Sequence, residues 1–143
     1  MWKQSKILVQ TRGRGFTELT VDVTRRVSEA NITIGLCHLF LRHTSASLCV
    51  TENADDDVRN DLEHFAQQLT LGSDVLFRHT VEGNDDMPAH VRNLFAGYEL
   101  TVPIRGGRLA LGTWQGIFLW EHRKANHQRE IVVTLQGEAE TAA

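Results

Sequence analysis

The chain has 143 residues, 41% of them apolar and 23% charged, with a formal net charge of −3. That is the profile of one globular domain with room for a real hydrophobic core, too short for two comfortable ones. So mild a negative charge gives no reason to expect binding to nucleic acid or to anionic lipid.

The opening MWKQSKILVQTRGRG holds one short apolar run, far below the length of a signal peptide or a membrane span, so the expected location is the cytoplasm. Residues 5–11, SKILVQT, predict a first strand, and RGRG a turn after it. Leu19, Val23, Val27 and Ala30 then recur at the helical period, with Asn31 as the stop. IGLCHLFLRH (34–43) is a nearly continuous apolar strand, and ASLCVT (46–51) alternates like a half-buried one. Cys37 and Cys49 lie inside these runs without CxxC spacing, which predicts buried, reduced thiols.

Asn53 and Asp55 offer caps to a helix with Val58, Leu62, Phe65 and Leu69 on one face, closed by LGSD. A shorter helix is expected to begin near Pro88 behind Asp85 or Asp86, and to end at Gly97. From Tyr98 the chain reads as strands: YELTVPI, the turn RGGR, LALGTW, GIFLWEH and EIVVTLQ. This order predicts an α+β domain, a mainly antiparallel sheet with packed helices, spanning residues 1–138. Residues 139–143 are expected to fray.

Polar residues collect in three places. HTVEGNDDMPAH (79–90) sets His79 and His90 around Glu82, Asp85 and Asp86. An imidazole in the first turns of a helix is kept neutral by the macrodipole and so suits a metal ligand. His43 ends a strand beside Thr44 and Ser45, groups that can fix its tautomer, as metal or acid–base histidines are often mounted. His38, His64, His122 and His127 are read as packing or solvated residues. TENADDDVRND (51–61) places Asp57 and Asp61 four apart, able to face Mg²⁺, but acids in a first helical turn need only the dipole to explain them. Glu52 and Asn53, at the preceding strand end, are better placed for a cleft. In LGTWQGIFLWEHR (111–123), two glycines flank a polar turn at Trp114 and Gln115 that fits either a ligand approach or a tight bulge. Glu121, late in an apolar strand, needs a partner if buried, with Arg123 or Arg129 available.

HTSASLCVTENAD, HTVEGNDDMPAH, PIRGGRLALGTWQGI and EHR with the following RE and VTLQGE resemble the YjbQ family, also called the secondary thiamine-phosphate synthase family. The resemblance runs from Met1 to about Glu138. It implies a homotrimer and a thiamine-phosphate synthase activity, which joins a pyrimidine diphosphate to a thiazole phosphate and releases pyrophosphate. It further implies a divalent metal ion, Zn or Mg, at His43, His79 and His90. Around such an ion, Glu52, Asn53, Glu82, Asp85, Asp86, Gln115 and Glu121 are the residues expected to handle substrate and protons. Arg14, beside two glycines, is the candidate contact for a phosphorylated small-molecule substrate. Metal-assisted hydrolysis with Glu82 or Asp86 as base, and a trimeric metal- or metabolite-binding module without catalysis, are the alternatives.

Overall fold

Strict alternation builds the larger of two sheets. Along β1 (Trp2–Gln10), β3 (Ile34–Leu41), β5 (Glu99–Arg105) and β8 (Gln128–Glu138), alternate side chains turn inward. Ile7, Val9, Cys37, Leu39, Val102, Ile104, Ile131 and Val133 are buried there. The strands pair antiparallel in the order β1-β8-β3-β5-β6, where β6 is the short Arg108–Leu109. A second antiparallel sheet, β2-β7-β4, joins β2 (Gly15–Glu18), β7 (Gln115–Glu121) and β4 (Ala46–Glu52). This computed structural model describes residues 1–71 and 73–139. Gly72 of LGSD, and all but the first residue of the tail expected to fray, lie outside the described residues.

The inner faces of both sheets and the Val23, Val27 and Ala30 stripe of α1 (Thr20–Ala30) form one core. Asn31 ends α1 in the left-handed region, at φ 54°. The α+β expectation therefore holds, and no described helix is long and apolar enough to cross a membrane.

β2 and a short 3₁₀ helix at Ser73–Leu76 are not anticipated in the sequence, and two predicted elements differ from expectation. α2 (Asp56–Leu69) starts as its caps predict, with the Asp57 N–H donating to Asp55 Oδ1 at 2.9 Å. Only the first half of its predicted apolar face is covered, however: Val58 and Leu62 are half-buried, while Phe65 is 64% and Leu69 56% exposed. The helix packs mainly on β2, four residues long and too short to cover that face. The second difference is LALGTW, of which only Leu109 is in strand. Gly106 and Gly107, both at positive φ, turn the chain so that Arg105 pairs with Arg108. The Ala110 N–H still donates to Pro103 O at 2.8 Å, but Pro103 has no N–H to return, and the ladder stops.

α3 (Asp86–Ala96) begins two residues ahead of Pro88 and ends at Gly97, φ 96°. Proline in the first turn sacrifices no helical hydrogen bond.

Gly35 faces Gly137 across β3 and β8. A Cβ on Gly35 would fall 2.0 Å from the carbonyl oxygen of Gln136, and one on Gly137 2.2 Å from that of Ile34. Backbone cannot yield as a flexible side chain does. Gly35→Ala should therefore cost about 1–3 kcal/mol and lower Tm by about 2–4 °C per kcal/mol in thermal denaturation. An unchanged Tm would mean that the two strands part freely.

Candidate metal centre

His79, Asp86 and His90 come together at the start of α3. Each offers one ligand atom, and the three atoms lie within 4.8 Å of one another. Asp86 is the hub: its Oδ2 is 2.7 Å from His79 Nε2 and 2.9 Å from His90 Nε2. Asp86 and His90 are one helical turn apart, which puts both on one face of α3. His79 reaches them from the loop, with its ring centre 5.6 Å from that of His90. His90 Nδ1 is 2.7 Å from the Thr44 carbonyl oxygen, in the β3–β4 connection.

Arg123, just past the end of β7, fixes this loop from outside. Its Nη1 donates to Asp86 Oδ1 at 2.6 Å, its Nε to Asp85 Oδ2 at 3.2 Å and its Nη2 to the Glu82 carbonyl at 2.9 Å. The Lys124 N–H adds a 2.8 Å bond to Asp85 Oδ2, so the Asp85 carboxylate braces the β7–β8 turn instead of capping α3. Burial raises both carboxyls. For Asp86 the hydrogen bond with His79, the contact with His90 and the charge of Arg123 outweigh it, and for Asp85 the Lys124 N–H and Arg123 do. Both are held below their ordinary values.

The other expected residues fall elsewhere. The imidazole of His43 is outside the group of three: its Nε2 accepts the Glu130 N–H at 2.8 Å. Burial first, and then the charge of Arg129, lower its pKa. Glu52 pairs with Gln115 at the far end of the β4–β7 ladder from Ala46 and Glu121. At about 3.4 Å per residue, that end is roughly 20 Å away along the strand. There Glu52 accepts from the Asp55 N–H, Asn53 Nδ2 donates to Glu18, and Gln115 Oε1 accepts from the Gly112 N–H at 2.7 Å. Trp114 is 64% exposed, outside the core. Glu82 stays on the loop, exposed.

Glu121 is 1% exposed and faces no cleft. It accepts from Thr11 Oγ1, from Nε and Nη2 of Arg129, and from the N–H groups of His122 and Arg123. Arg129 is the partner, not Arg123.

His122, read as solvated, is completely buried, and this corrects the sequence reading. Its Nε2 is 2.8 Å from Ser47 Oγ, and burial, reinforced by Arg92 and Arg129, pushes its pKa down to about 3. Ser47 is equally buried, so this pair is a neutral core contact beyond the reach of a substrate. The available signal was GIFLWEH itself: an uninterrupted apolar run marks a strand covered on both faces, and its last residue inherits the cover. The cysteines are free as expected, Cys37 raised to about 11 and Cys49 to about 12 by burial.

A family profile described as UPF0047 protein YjbQ-like matches residues 5–138. A UPF0047 protein of Synechocystis sp. is 45% identical over 135 residues, 94% of this chain and 92% of its own. The UPF0047 protein YjbQ of Salmonella typhimurium is 46% identical over 140 residues, 96% of this chain and all of its own. Among solved structures, a YbjQ-like protein from Sulfolobus solfataricus P2 aligns with a TM-score of 0.84 at 26% identity, covering 96% of this chain and all of that one.

Glu121, like Asp86, sits below its ordinary value: burial raises it, and Arg129, Thr11 and the Arg123 N–H outweigh that. A carboxyl lowered in the folded state contributes stability above about pH 4 and loses it as pH falls through the lower, folded value. Urea midpoints taken from about pH 7 down to about pH 3 should therefore drop steeply at the acid end. Glu121→Gln should start lower and fall less. Equal slopes would show that Glu121 carries none of the acid sensitivity.

Proposed function

The chain belongs to the UPF0047 YjbQ-like family, and on that premise we propose that it is a metal-dependent enzyme for a small phosphorylated substrate, its divalent ion held by His79, Asp86 and His90. One observation carries the reading. Both ring nitrogens of His90 face oxygens that can only accept, the Thr44 carbonyl and the ionised Asp86. A neutral imidazole has one N–H to give. With that proton on Nδ1, toward Thr44, the Nε2 lone pair points at a carboxylate, an arrangement that a cation between them satisfies. Two imidazoles and one carboxylate suit zinc better than magnesium, which prefers oxygen donors.

A divalent ion bound there supplies Lewis acidity and positive charge toward a phosphoryl oxygen. The chain's own residues do the rest. Arg123 keeps Asp86 ionised and aimed, and Thr44 fixes the tautomer of His90. Glu82, exposed on the same loop, is the carboxylate free to take a proton, since Asp85 and Asp86 are both committed to Arg123. That commitment also weakens an objection to an anionic substrate. HTVEGNDDMPAH carries three carboxylates, and the guanidinium offsets one of these charges.

The reaction we assign is that of the family resemblance, joining the pyrimidine diphosphate to the thiazole phosphate with loss of pyrophosphate. We also infer a homotrimer. Trp2, Leu8, Leu36 and Phe40 on the outer face of the large sheet, and Phe65, Leu69, Leu94 and Phe95 on α2 and α3, are exposed. Apolar area of this extent calls for a partner surface, and assembly could bring the Glu52–Gln115 end of one subunit to the metal centre of another. Two free thiols, Cys37 buried and Cys49 half-buried, suit the cytoplasm.

Elemental analysis after dialysis should find about one divalent ion per chain. His79→Ala and His90→Ala should lose it with circular dichroism unchanged, while His64→Ala and His127→Ala keep it. Full occupancy in both of the first two variants would refute the site. Incubated with the two thiamine precursors, wild type should release pyrophosphate, and Glu82→Gln should keep the ion but lose turnover. A metal-loaded wild type with no turnover would leave the non-catalytic binding module.

A further inference from the structure

Behind Asp85, on the side away from the three ligands, a cavity of about 300 Å³ opens between α2, α3 and the β7–β8 turn. Arg14, Arg92 and Lys124 line it, with Gln67 and Asn84 among the uncharged polar groups. The volume lies at the lower end of the range for small-molecule sites.

Arg92 is the unusual member. It is 5% exposed, yet among the described residues no carboxylate pairs with it. Its Nη2 donates to the His122 carbonyl at 3.0 Å and its Nη1 to Thr70 Oγ1 at 3.3 Å. Its Nε, also buried, has no hydrogen-bond partner. A buried guanidinium held only by two neutral oxygens, with its Nε–H unused, retains most of its desolvation cost. Burial accordingly lowers its pKa, while the nearest acids, Glu63 and Asp85, act on it only through space.

The remaining charges have the same sign. Arg14 makes a loose 3.6 Å contact with Glu63, and the exposed Lys124 uses only its backbone N–H, on Asp85. The single carboxylate in the lining, Asp85, is already tied to Arg123. Three cations therefore surround the cavity with little to neutralise them, and the N-terminal end of α3, at Asp85 and Pro88, adds its partial positive charge.

We propose that this cavity binds the phosphate or diphosphate group of the substrate, with Arg92 as the buried anchor and Arg14 and Lys124 closing on it from the rim. Forked N–H donors matched to phosphate oxygens are how arginine holds such groups. Asp85 forms part of the wall and Asp86 is the metal hub, so one guanidinium, that of Arg123, separates the anion from the ion. The anion's being part of a substrate rests on the function proposed above. Its binding does not.

The test is calorimetric titration of chelator-treated, metal-free protein with inorganic pyrophosphate and, separately, inorganic phosphate. Wild type should bind at least one of them, and the tighter of the two tells whether a diphosphate or a single phosphate fits. Arg14→Gln and Lys124→Gln, both at the surface, should each weaken binding about tenfold with no loss of fold. Arg92→Met should abolish it, and His79→Ala should leave it unchanged. No binding by metal-free wild type would overturn the proposal, as would binding indifferent to Arg14 and Lys124. Binding lost in His79→Ala and untouched in the rim variants would place the anion at the three-ligand cluster instead. Anion binding by a protein that never retains metal would leave this pocket standing and remove the metal centre.

Discussion

One guanidinium holds the candidate site in shape. Arg123 spans the loop before α3, giving one N–H to each of two successive aspartates and one to a backbone carbonyl. Without it, Asp85 and Asp86 would be adjacent like charges, partly withdrawn from water. With it, they form a rigid plate with the histidine cluster on one side and the cationic cavity on the other. Guanidinium geometry matters here: a lysine could not reach three acceptors in fixed directions.

Arg123 is placed by the strand that carries it. β7 is the middle strand of the small sheet and is covered on both faces, so its end leaves no residue undirected. Glu121 turns to Arg129 on β8 and ties the small sheet to the large one. His122 turns to Ser47 on β4. Arg123 then emerges toward the loop. A buried ion pair is poor evidence of net stability, but Glu121 with Arg129 fixes where the two sheets sit on each other, and the site inherits that precision.

Much of this was legible in the residues. Alternation and helical period located the main strands and helices, and the caps at Asp55, Asn31 and Gly97 stand where turn chemistry puts them. Two of the three side chains that gather at the start of α3, His79 and His90, stood out by bracketing an acidic loop. What stayed hidden was pairing across distance. Nothing near Glu121 marks Arg129 rather than Arg123 as its partner, because both are arginines a few residues away. Asp86 read as one acid among several until Arg123, 37 residues later, and the two imidazoles singled it out. Nothing in the sequence sets Arg92 apart, since burial of a helix face depends on what the other elements bring to it. α2 failed in the opposite sense: its apolar stripe is real, and among the described residues no element covers its second half, Phe65 and Leu69.

The strand order has a consequence for how the molecule is made. β8 lies between β1 and β3, so the centre of the large sheet is synthesised after its other strands. Until residue 128 and its successors leave the ribosome, β1 has no neighbour and β3 has only β5. The early strands must wait as open edges beside an incomplete core, a long-range closure of the kind that folds slowly and needs protection from aggregation. Arg129, which sits on β8, arrives after Glu121, the carboxylate it must neutralise, so the junction between the two sheets closes only once β8 has been made.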